Sequence, residues 1–79
     1  MDAITEPLLN EMIMAMLRQQ TTCADSRSVM LELVYEAGTP YNWRIGHFDP
    51  GRGDRYACKI ALRRIHEALR DSYKMVGES

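Results

Sequence analysis

Three apolar patterns divide the chain. Leu8, Leu9, Met12, Ile13, Met16 and Leu17 recur at the three-and-four spacing of one helix face, and Met14 and Ala15 widen that face until little of the circumference is polar. Thr5-Glu6-Pro7 opens this helix, because threonine can cap free amides and proline needs no donor in a first turn. Val29 to Ala37 carries two periods at once. Val29, Leu31, Leu33 and Tyr35 alternate as in a strand, whereas Met30, Leu33, Val34 and Ala37 follow helical spacing with Glu32 and Glu36 outside it. Gly38, of the type that ends helices, with Pro40 two positions later, decides for a second helix. From Asp54 to Val76, the residues Cys58, Ala61, Leu62, Ile65, Leu69, Tyr73 and Val76 fall on one stripe and predict a single long amphipathic helix capped by Asp54.

Between the second and third helices lies a connector, Thr39 to Gly53, which holds the only tryptophan and the only phenylalanine. Thr39-Pro40 can open a short helix over Tyr41 to Ile45; alternatively Tyr41, Trp43 and Ile45 alternate as an extended piece before an Asp49-Pro50-Gly51 turn. The expected fold is therefore all-α: one domain over residues 1–79, three helices, with a long C-terminal amphipathic helix and an aromatic-bearing connector before it.

Seventy-nine residues sit near the lower limit for an apolar core that holds a chain folded unaided. The two cysteines give no disulfide framework, and Cys23 reads as a free thiol, with no histidine or second cysteine nearby. Self-association is the remaining common support, so a homodimer is expected through the wide face of the first helix, at Leu9, Met12, Ile13 and Met16. The chain does not open on a basic stretch followed by an apolar one, and its longest wholly apolar run is Met12 to Leu17; a cytoplasmic protein outside the membrane is expected.

The net charge of -1 hides a polarity. Residues 1–40 carry two basic against six acidic side chains, and residues 41–79 carry eight basic against five acidic. Lys59, Arg63, His66, Arg70 and Lys74 share one side of the final helix, with Tyr41, Trp43, Arg44, Arg52 and Arg55 upstream. A basic face interleaved with aromatic residues suits either an acidic protein, whose binding energy would centre on a few aromatic and arginine anchors, or a phosphate backbone. The slightly acidic total favours the protein.

Catalytic and metal readings find little support. Cys58 and His66 are eight apart, on neighbouring sides of a helix, and no nucleophile is paired with a base and an orienting group. No enzyme, cofactor or metal is expected. The Arg52-Gly53-Asp54 tripeptide, which matches an adhesion motif, reads as a turn followed by a helix cap.

One stretch resembles a known motif. Glu36-Ala37-Gly38-Thr39-Pro40-Tyr41 is similar to the turn of a helix-turn-helix, which implies a DNA-binding unit over residues 26–46 with Asn42 and Arg44 facing bases. It departs from that pattern where Arg44 stands in place of the apolar anchor and Ile45 falls one position late. The functional expectation is a small inhibitor, adaptor or regulator that binds a larger protein, of the stand-alone kind often carried by phages and plasmids. The alternative is a nucleic-acid-binding regulator.

Overall fold

In the computed structural model, which describes residues 2–34, 38 and 42–76, Val29 and Leu31 are buried while Met30 between them stands 59% exposed. That is the alternation of a strand, and it sets the hydrophobic side of β2 (Ser28–Leu33) against the core. The described chain runs β1 (Asp2–Thr5), α1 (Glu6–Arg18), a 3-10 turn at Thr21–Cys23, β2, β3 (Trp43–Asp49), α2 (Arg55–Leu69) and β4 (Tyr73–Val76). Among the described residues, two helices and four strands in two small sheets make an α/β fold, which overturns the all-α, three-helix expectation.

The correction has two centres. The segment Val29 to Ala37 supports both periods, and the strand prevails in its described part because β3 pairs with it antiparallel, from Ser28 opposite Asp49 to Leu33 opposite Trp43. Gly38, between these strands in sequence, is a turn residue at φ +84°, a left-handed conformation open to glycine. Among the described residues of 26–46 there are β2 and the start of β3 and no helix, which goes against a helix-turn-helix; of its turn, Glu36, Ala37, Thr39, Pro40 and Tyr41 lie outside the described residues. The short helix over Tyr41 to Ile45 is replaced from Trp43 onward by β3, and Tyr41 lies outside the described residues.

The second centre is the C-terminus. α2 ends at Leu69, with the Arg70 amide closing on the His66 carbonyl at 2.8 Å, and a turn follows in which the Ser72 amide reaches the Leu69 carbonyl at 3.0 Å. Tyr73 to Val76 then form β4, parallel to β1, with Ile4 opposite Met75. Leu69, Tyr73 and Val76 fit the helical stripe, but the half-buried, exposed, buried order of Tyr73, Lys74 and Met75 fits a strand as well, and β1 supplies the partner.

Local signals hold their positions. Pro7 lies in the first turn of α1 after Thr5, although the Thr5 side chain makes no capping bond. Asp54 Oδ1 accepts from the amides of Tyr56 at 2.9 Å and Ala57 at 3.2 Å, capping α2. In the Asp49-Pro50-Gly51 turn the Gly51 amide donates to Asp49 Oδ1 at 2.9 Å.

Leu9, Ile13 and Leu17 of α1 meet Leu62 and Ile65 of α2, Val29 and Leu31 of β2, Trp43 and Phe48 of β3, and Met75 of β4 in one core. Cys23 and Cys58 form a disulfide inside it, joining the 3-10 turn to the first part of α2 across a sequence separation of 35. This corrects the free-thiol reading of Cys23: the partner is distant in sequence and announced by no local spacing.

A candidate cationic groove between β3 and α2

The antiparallel register decides which main-chain groups of β3 are available. The Val34 amide donates to the Asn42 carbonyl at 2.8 Å, so alternation makes Glu32–Arg44 a hydrogen-bonded pair and turns the main-chain groups of Trp43 and Ile45 away from β2. A contact from α2 agrees with this. His66 Nε2 lies 3.0 Å from the Trp43 carbonyl oxygen, and because a carbonyl only accepts, that nitrogen carries the hydrogen. The two rings meet edge to face with centroids 4.8 Å apart.

α2 runs back alongside this edge, from Arg55, whose guanidinium lies 5.5 Å from the centre of the Phe48 ring, to His66 beside Trp43. Between them is an open groove of about 460 Å³ lined by Arg44, Ile45, Gly46 and Phe48 of β3 and Tyr56, Lys59, Ile60, Leu62, Arg63 and His66 of α2. Residues from both faces of β3 line it, which places the groove along the strand's edge.

Two of its cations already have weak partners. Arg44 Nε is 2.9 Å from Glu32 Oε2 and Arg63 Nε is 3.5 Å from Glu67 Oε1, all four side chains being substantially exposed. Exposed pairs of this kind contribute about 0–1 kcal/mol, so an incoming carboxylate can compete for both guanidinium groups. Among the described residues no acidic side chain lines the groove itself.

β3 has two residues, Gly46 and His47, where β2 has only Met30, a bulge that interrupts the pairing beside the groove. A side chain at Gly46 would collide with that of Glu32, which crosses this face to reach Arg44.

Of the residues singled out from sequence, Lys59, Arg63, His66 and Arg44 converge here. Arg70 lies half-buried just past the end of α2, and Lys74 projects from β4 in the other sheet, so the five-residue basic face is split. Arg52 is exposed, with its Nε 4.0 Å from Asp25, while Asp54 is committed to capping α2. Trp43 is fully buried, its Nε1 donating to the Tyr73 carbonyl at 3.0 Å, and serves the core instead of a surface. Leu9 and Ile13 are fully buried within the chain, and Met12 and Met16 are half-buried.

Ile60 joins the site without having been named from sequence, and Tyr56, 74% exposed, joins it as an aromatic interleaved with the basic residues. The spacing of Ile60 and Arg63, four and seven positions after Tyr56, was the available signal.

Among the described residues no helix is long and apolar enough to cross a membrane. Comparison with known protein families, curated proteins and solved structures found no match for the chain.

Proposed function

We propose that the protein is a small non-enzymatic binding module, an inhibitor, adaptor or regulator that docks an acidic segment of a larger protein in the groove between β3 and α2. The observation that carries this reading is the convergence of Arg44, Lys59 and Arg63 over an apolar lining of Ile45, Phe48, Ile60 and Leu62. Cations steer an acidic partner and fix its register, while the apolar surface supplies the burial that holds it. A phosphate backbone would use the charges and leave the apolar lining idle, and the net charge of -1 is unlike that of a dedicated nucleic-acid module. Tyr56 is the one feature that favours the second reading, since an exposed ring beside Lys59 and Arg63 can stack on a base.

The discriminating experiment compares acidic peptides with single- and double-stranded DNA and RNA at low and physiological salt. It uses the wild type, a Lys59→Gln/Arg63→Gln variant and an Arg52→Gln/Lys74→Gln control. Peptide binding that drops at least tenfold in the first variant and persists in the control supports the proposal. Nucleic-acid binding with a steep salt slope and no peptide binding transfers the function to the alternative.

Compartment is part of the same proposal. Disulfides persist in oxidising surroundings and are rare in a reducing cytosol. A cytoplasmic location therefore requires burial of Cys23 and Cys58 to protect their bond, whereas an oxidising compartment requires nothing further. Alkylating the protein as cells are lysed, then weighing it, distinguishes the two. We also propose self-association through the remaining apolar stripe of α1, Leu8, Met12 and Met16, since Leu9 and Ile13 are already used by the chain's own core.

A further inference from the structure

We infer that the segment docked in the groove is extended and adds to β3 as a new strand, pairing with the outward-facing N–H and C=O of Ile45. The inference rests on the groove being the binding site and specifies how it is read. Three observations carry it.

The first is the state of the edge. The register turns the main chain of Ile45 away from β2 and into the groove, with no hydrogen bond to it among the described residues. Beyond the bulge, Phe48 returns to the same edge: its partner Val29 turns a carbonyl away from β3 to accept from Asn10 Nδ2 at 2.7 Å. Trp43 at the other end is closed by His66. The open stretch thus has a stop at one end and free pairing groups beside the cations.

The second is size. The α2 wall from Tyr56 to His66 is about 15 Å long at a helical rise of ~1.5 Å per residue, which matches roughly four or five residues of strand at ~3.3 Å each. The third is the two-sided lining. Side chains of an added strand would alternate between the Ile60 and Leu62 side and the Arg44 side, so the geometry asks for an apolar–acidic alternation. Main-chain pairing would supply affinity, and the alternation specificity.

The test uses an acetylated, amidated octapeptide alternating glutamate and valine, with two further versions, one N-methylated at every valine and the other at every glutamate. In an added strand only alternate amides face β3. One methylated peptide should therefore lose at least tenfold in affinity while the other binds like the parent, and the Ile45 amide should exchange more slowly with the parent bound. Ile45→Pro removes the outward donor together with the Ile45 side chain and should reproduce the loss; circular dichroism of that variant reports whether it folds, and the peptide series stands without it. If the parent binds and both methylated peptides bind equally well, strand addition is overturned while the groove survives as the site. If the parent fails to bind at low salt, both are overturned.

Discussion

The side-chain amide of Asn42 exchanges two hydrogen bonds with the main chain of Met75: Nδ2 donates to the carbonyl at 2.6 Å, and Oδ1 accepts from the amide at 2.9 Å. The amide acts as one residue of a strand, and with Trp43 Nε1 on the Tyr73 carbonyl it fastens the β2–β3 hairpin to the β1–β4 pair. Asn42, a base-contacting candidate under the helix-turn-helix resemblance, is thus a structural residue.

Asn42→Ala removes both bonds and leaves the Met75 amide and carbonyl without them. The expected loss is about 1–3 kcal/mol of unfolding free energy, because desolvated backbone groups left unpaired are costly. Asn42→Asp keeps an acceptor but cannot donate, and should not restore wild-type stability. Urea denaturation followed by the emission of the single, buried Trp43 measures both. A midpoint for Asn42→Ala equal to that of the wild type would remove this link from the account of how the sheets are joined.

What was legible in the sequence was what lies within a few residues of itself. The Asp49-Pro50-Gly51 turn and the Asp54 cap complete their geometry with near neighbours, and α1 starts after Thr5 with Pro7 in its first turn, without the Thr5 capping bond. β2 needed β3, and β4 needed β1 at the opposite end of the chain; without those partners the segments read equally well as helix. The half of the site that lies on one helix, Lys59, Arg63 and His66, could be read from spacing. Of its other half, Arg44 was named by its charge alone, and Ile45 was not, since both reach the groove only through the hairpin register. Trp43 had the composition of an interface anchor and is a core residue because His66 and Tyr73 satisfy its polar groups and its neighbours.

The Cys23–Cys58 bond closes a loop with a sequence separation of 35, which in the chain-entropy description contributes about 3–4 kcal/mol. Reducing agent, or a Cys23→Ala/Cys58→Ala variant, should lower stability by that order while the unreduced wild type yields no titratable thiol until denatured and reduced. Two free thiols in the native protein, with a midpoint indifferent to reductant, would contradict the assignment.

Gly51 and Gly38 both adopt positive φ, +61° and +84°, but they differ in what surrounds them. A Cβ at Gly51 would run into the main-chain oxygen of Asp25, whereas at Gly38 nothing among the described residues lies within 4 Å. Gly38→Ala should therefore show the backbone cost alone, roughly 1–2 kcal/mol for a left-handed residue. Gly51→Ala should lose more, since the Asp25 backbone must also give way. Equal losses, by the same urea titration, would mean that the turn accommodates the methyl group.

Leu8, Met12 and Met16 lie four positions apart on α1, Leu8 58% exposed and the two methionines half-buried, while Leu9, Ile13 and Leu17 beside them are fully buried. The core and any self-association surface thus draw on different residues of one helix, which allows them to be separated. Leu8→Asp places a charge on the exposed stripe without opening the core. If the chain pairs through this face, the wild type sediments as a dimer and the Leu8→Asp protein as a monomer with unchanged circular dichroism. Met16→Asp, which also touches the core, should lose stability as well as mass. A monomeric wild type, or a Leu8→Asp dimer of undiminished affinity, would remove α1 from the interface and leave the methionine-rich face as ordinary packing.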